Sequence, residues 1–82
     1  MLFVTMLTID PARNEESFQA IRQLHPPSGI SVVAKYGLFG GRDAAVVYEA
    51  ADAAGAMAFL TGTLCKLTGV VDTETFAAIA LQ

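Results

Sequence analysis

Hydrophobic and polar positions along this chain switch period at each stretch of turn residues, and the switches predict its elements. Leu2–Ile9 is apolar on both alternating faces, with Phe3, Leu7 and Ile9 on one and Leu2, Val4 and Met6 on the other. That pattern suits a central strand covered on both sides. Asp10-Pro11 then punctuates: aspartate is a good N-cap and proline is tolerated in the first helical turn. Asn14-Glu15-Glu16 offers a second start, because acids are favourable at the positive end of a helix. A helix is predicted to about Leu24, with Phe18, Ile21 and Leu24 as its buried stripe. His25-Pro26-Pro27-Ser28-Gly29 stops it, since a residue before proline avoids the helical region.

Ile30–Phe39 carries β-branched and aromatic residues and predicts a second strand. Gly40-Gly41 is expected to reverse the chain, its glycines giving the positive-φ freedom a tight hairpin needs, into a third strand over Asp43–Ala50. Asp52 is placed to cap a second helix. Ala53, Ala56, Met57, Leu60, Leu64 and Leu67 fall on one helical face, and Gly69 follows as a left-handed C-cap. Val70–Leu81 alternates again and predicts the fourth strand.

The order is βαββαβ. Right-handed crossovers turn it into an α+β ferredoxin-like domain over 1–82: a four-stranded antiparallel sheet with two helices on one face. The second sheet face has no helix to cover it, yet its positions are also rich in Val, Ala, Leu and Phe. Composition sharpens this point. The hydrophobic fraction is 54%, above the roughly 45–50% of typical chains, and a domain this small has a marginal core when alone. Two such sheets packed face to face, as a dimeric α/β barrel, would bury the surplus. The expected partner is therefore the chain itself, as a homodimer or higher oligomer.

Charge narrows the other partners. Five bases against eight acids give a net charge of −3, and Arg13, Arg22, Lys35, Arg42 and Lys66 are scattered. A nucleic-acid binder needs a basic stripe, so no nucleic-acid partner is expected. The apolar run Ala53–Leu60 is too short for a bilayer span, and the N-terminus lacks the features of a signal peptide. The lone Cys65 forms no internal disulfide or cysteine zinc site and reads as a small buried hydrophobe. No cofactor or metal motif is present, and a cytoplasmic setting is expected.

Gly40-x-x-Asp43, the apolar strand after it, the Asp52 helix and Thr68-Gly69-Val70-x-x-Thr73-Glu74-Thr75 resemble the effector (RAM-like) domain of Lrp/AsnC-type regulators. The same segments resemble GYD-type domains of unknown function. The front half, with Pro26-Pro27 and Gly40-Gly41-Arg42, is similar to stand-alone members of the dimeric α/β-barrel superfamily. Two departures qualify the likeness. No helix-turn-helix precedes the domain, so a transcription-factor role within one polypeptide is not expected. Arg42 also stands where GYD-type turns carry tyrosine. The resemblance implies that the Gly40–Asp43 turn lines an amino-acid pocket between subunits.

The residues themselves allow a similar reading. Backbone N–H groups at a glycine turn can hold a carboxylate, and Arg42 can add a charge-assisted bond. The plainer alternative is a hairpin turn with Asp43 bonded to local backbone. The candidate ligand residues are thus Gly40, Gly41, Arg42, Asp43 and Tyr36. Lys35, Tyr36 and Tyr48 would bind a polar ligand if they faced a barrel interior; otherwise they are strand residues with polar tips in solvent. Asp72 and Glu74 share a strand face, either as paired carboxylates or as charges protecting an edge. His25, at a helix end, lacks the partner a general base needs. Gly55, Ala58 and Gly62 form a small-residue stripe that would admit a close neighbour. The leading expectation is a homo-oligomeric protein that binds or senses a small metabolite, with an amino acid as the first candidate. The alternatives are a cofactor-independent enzyme of the barrel type (monooxygenase, isomerase or cyclase) and a structural module.

Overall fold

The computed structural model describes residues 1–81. β1 (Leu2–Ile9) is followed by a 3₁₀ turn (Pro11–Arg13) and α1 (Asn14–Arg22). β2 (Ser31–Gly37) and β3 (Ala44–Glu49) form the hairpin. α2 (Ala53–Gly62), a second 3₁₀ turn (Leu64–Lys66) and β4 (Val70–Ala78) complete the order. The sheet is antiparallel with strand order β2-β3-β1-β4, which is the predicted ferredoxin-like topology. β1 occupies a central position, as its two apolar faces require.

Register assigns the two faces. Phe3 lies opposite Tyr48, Thr5 opposite Val46 and Thr75, and Leu7 opposite Ala44 and Thr73. The β1 and β3 members of this set are buried together with Ile9, Ile21, Leu24, Ala56, Phe59 and Leu64 in one core. Both helices therefore cover the same face. Tyr48 is at its centre. Its ring lies 5.9 Å from that of Phe3 and 4.8 Å, edge-on, from that of Phe59. Its hydroxyl is 2.9 Å from Thr5 Oγ1, which is 2.8 Å from Thr75 Oγ1. This hydroxyl chain across three strands gives the buried oxygens of Tyr48 and Thr5 a partner. The tip of Tyr48 thus reaches neither solvent nor the open face, against the sequence expectation.

Asp52 caps α2 as expected, Oδ1 accepting from Gly55 N at 2.8 Å. The helix then ends at Gly62 rather than continuing to Leu67. Thr61-Gly62-Thr63 combines weak helix formers, and Thr61 Oγ1 donates back to Met57 O at 2.9 Å. Its buried face also differs from the predicted stripe: Phe59 is buried, whereas Ala53 and Met57 are exposed. Nearly every residue here is apolar or small, so no polar face fixes the phase, and the largest ring takes the core. The break turns Cys65 outward, where it is exposed beside Thr73 Oγ1 at 3.8 Å. The expectation of a buried cysteine is corrected accordingly.

The other boundaries are shorter than predicted. α1 stops at Arg22, although Leu24 is still buried, and Asp10 caps a 3₁₀ turn by accepting from Ala12 N at 3.0 Å. β4 ends at Ala78, because Ile79 and Leu81 find no strand to lie against and are exposed.

Gly69 has φ +79° and packs against α1. A Cβ there would collide with Ser17 Oγ. That buried hydroxyl lies 2.9 Å from Arg13 O and 2.7 Å from Thr68 O, its proton shared between them. Asp10 N donates to Gly69 O at 2.8 Å, so this point joins β1, α1 and β4.

Candidate functional site

The other sheet face carries no helix. It holds Leu2, Val4, Met6 and Thr8 from β1, Ala45, Val47 and Glu49 from β3, Ala34 and Tyr36 from β2, and Phe76, Glu74 and Asp72 from β4. Its centre is apolar. Phe76 and Tyr36 are exposed on it, and Val4, Met6 and Val47 are half-buried.

The β2–β3 turn stands at one end of this face. Leu38 N donates to Asp43 O and Asp43 N donates to Leu7 O, both at 2.9 Å. Between them Gly40 takes φ +138°, whereas Gly41 has no positive φ. One glycine, not two, needs the special conformation. The N–H groups of Gly40, Gly41 and Arg42 carry no hydrogen bond among the described residues.

Both flanking side chains serve the fold. Arg42 reaches over the open face: Nη1 donates to Thr8 Oγ1 at 2.9 Å and to Asp72 Oδ2 at 3.0 Å, and Nη2 donates to Glu74 Oε1 at 2.9 Å. It thereby braces the turn against the edge strand β4. Asp43 Oδ2 accepts from Ile9 N at 2.7 Å. The pairing of β1 with β3 ends at Leu7 and Ala44, so this donor on the β3 side has no strand partner, and Asp43 satisfies it. Asp43 is thus a backbone acceptor, as the plainer alternative had it, but across to β1 and not within its own turn.

The remaining candidates are dispersed. Tyr36 lies on the open face, but Lys35 points to the helix side, where Nζ donates to Arg22 O at 3.0 Å. Tyr48 is in the core, so Lys35, Tyr36 and Tyr48 do not converge. An open cleft of about 330 Å³ lies between α1 and β2, lined by Phe18, Ile21, Arg22, Lys35, Tyr36 and Gly37. His25 is exposed at the end of α1. Gly62 has no neighbour within 4 Å of where a Cβ would be, so no close approach uses it.

Sequence reading missed the Arg42–Asp72–Glu74 cluster as a unit. Its signal was available: two carboxylates at i and i+2 on an otherwise apolar face call for a cation, and strand order brings the turn to β4. The buried Ser17 and the Thr5–Tyr48–Thr75 chain gave no such signal, since isolated hydroxyls carry no periodicity.

No family model matches the chain, and no curated protein matches it. Solved structures do. TTHA0845 from Thermus thermophilus is 21% identical, with a TM-score of 0.77 over 99% of this chain and 95% of that one. The fold is that of Lrp/AsnC-type regulators. The transcriptional regulator NMB0573 from Neisseria meningitidis, in complex with L-Met, is 21% identical with a TM-score of 0.77 over 96% of this chain. AsnC of E. coli is 11% identical with a TM-score of 0.77 over 98%. The chain spans about half of each regulator, 49% and 51% respectively. At these identities the likeness is one of fold. No helix of the described residues is long and apolar enough to cross a membrane.

Proposed function

We propose that the chain is a small-metabolite binding protein that works as a homo-oligomer in the cytoplasm, with amino acids as the first ligand class. One observation carries this reading. The Gly40–Asp43 turn presents unpaired N–H groups and is held from both flanks, by Arg42 on β4 and Asp43 on β1. A rigid glycine turn with free N–H groups suits a carboxylate. The L-Met complex of a regulator with the same fold supports the ligand class. The open apolar face supports the oligomer, because an exposed patch of this extent calls for a partner. In this reading Arg42 and Asp43 hold the turn in place, Gly40 and Gly41 offer the donors, and Tyr36 stands on the covered face.

Thermal denaturation with a panel of amino acids and small carboxylates tests it. A ligand that binds only the native assembly raises the melting temperature by mass action, with a gain of about 2.7 kcal/mol at a hundredfold excess over Kd. The shift should vanish in Arg42→Ala and in Asp43→Ala while the oligomer persists. A hit indifferent to both substitutions places the ligand away from the turn and overturns this site. A panel with no hit overturns the ligand class.

A further inference from the structure

We propose that the open cleft between α1 and β2 is a separate ligand site, for a small carboxylate with an aromatic body and no ammonium group. It lies within one chain, on the helix side of the sheet. It depends neither on the Gly40–Asp43 turn nor on the oligomer.

Gly37 is the first sign. It sits in β2 on the helix side, opposite the buried Ala44. Its φ is not positive, and a Cβ there would meet only Phe18 Cε1, at an ordinary 3.7 Å. Neither the backbone nor the packing requires a glycine at this position. Its missing side chain leaves an edge of the half-buried Phe18 ring open, and glycine within a strand often marks the approach of a ligand. With the buried Ile21, that ring makes an apolar floor. The cleft of about 330 Å³ has room for one aromatic ring and a short acid chain, since about 150 Å³ is enough for benzene.

The rim is cationic. Arg22 and Lys35 both line the cleft, and no acid does. Among the described residues neither pairs with a carboxylate, although the chain carries a net charge of −3. Lys35 Nζ donates to Arg22 O at 3.0 Å, and Arg22 Nη1 donates to Gln19 Oε1 at 3.3 Å. These acceptors are neutral, and most of the donors on both side chains remain for an anion.

The strand edge adds backbone donors. Met1 N donates to Ala50 O at 2.7 Å and Ala50 N to Met1 O at 2.9 Å. Counting by twos along β3 from this pair, Tyr48 and Val46 turn their backbone groups to β1, and Val47 and Ala45 turn theirs to β2. Tyr36, opposite Ala45, therefore faces β3, and the backbone groups of Lys35 and Gly37 point to the free edge beside the cleft. Two cations with N–H groups attract a carboxylate. With no acid nearby, the same cations repel the ammonium of a free amino acid.

Phenylacetate is the probe, titrated into ¹⁵N-labelled protein and followed by amide chemical shifts. Benzyl alcohol and L-phenylalanine are the neutral and zwitterionic comparisons. Shifts at Phe18, Ile21, Lys35 and Gly37 should saturate with a Kd below about 1 mM. Both comparisons should bind at least about fivefold more weakly. Lys35→Gln keeps a donor for Arg22 O and removes the charge, and it should raise the Kd about threefold; adding Arg22→Gln should bring the loss to about tenfold. Gly37→Val places a side chain over Phe18 and should abolish saturation while the melting temperature stays at or above that of wild type. No saturable shift with phenylacetate up to about 10 mM overturns the proposal. So does benzyl alcohol binding as tightly, a Kd indifferent to the double substitution, or shifts that centre on Gly40–Asp43 instead.

Discussion

Arg42 shows how one side chain can be read two ways from sequence and one way from structure. As a lone cation beside two glycines it looks available for a ligand. In the fold its guanidinium faces three acceptors on two strands, and it acts as a strut between the hairpin and β4. Partial exposure limits what the strut contributes, because solvent-screened ion pairs are worth about 0–1 kcal/mol. Arg42→Ala should therefore lower stability by about 1 kcal/mol, read from the denaturant midpoint, and the loss should shrink in high salt. A loss unchanged by salt would mean packing, not charge, holds the turn. Tyr48→Phe probes the buried hydroxyl chain. Thr5 keeps Thr75 as a partner, so the cost should stay within about 0.5–1.5 kcal/mol. A much larger loss would indicate that the ring itself has moved.

At the scale of elements, the sequence was legible where period and punctuation agreed. β1 matches residue for residue, because alternating apolar faces, Asp10 and Pro11 all mark its limits. The Asp52 cap was likewise legible, being a local device with a local signal. Gly69 takes the left-handed conformation expected of it, but at the entry to β4 and not as the C-cap of α2, which ends at Gly62. α2 was legible at its start and not at its end. The apolar spacing continued to Leu67, but Thr61-Gly62-Thr63 broke the backbone first. Tyr48 and Lys35 were misplaced for a related reason: strand alternation says which residues share a face, not which face the helices cover. The Gly40–Asp43 turn was legible and its two anchors were not, because Asp72, Glu74 and Ile9 are distant from it in sequence.

Two measurements address these elements. Gly69→Ala should destabilise by more than about 2 kcal/mol. The left-handed conformation alone costs roughly 1–2 kcal/mol for an L-residue, and the added methyl would also strike Ser17. Gly40→Val should cost more than about 1 kcal/mol, since φ +138° lies in a region that is essentially glycine's. Gly41→Val, lacking that constraint, should cost less than Gly40→Val when chemical denaturation curves are compared. Equal costs would contradict the assignment of one special glycine.

For the whole molecule, two faces of one sheet explain the composition. The helix side absorbs part of the apolar content into a core around Tyr48 and Phe59. The remainder lies on the open face, with Phe76 and Tyr36 exposed in the single chain. A second copy over that face is the central claim, and molar mass tests it most directly. Light scattering after gel filtration at micromolar concentration should give at least twice the mass of one chain. Val47→Lys, which sets a charge in the middle of the face, should return the mass to that of one chain while circular dichroism stays native. A wild-type protein that elutes as a stable, native monomer under these conditions would contradict the account.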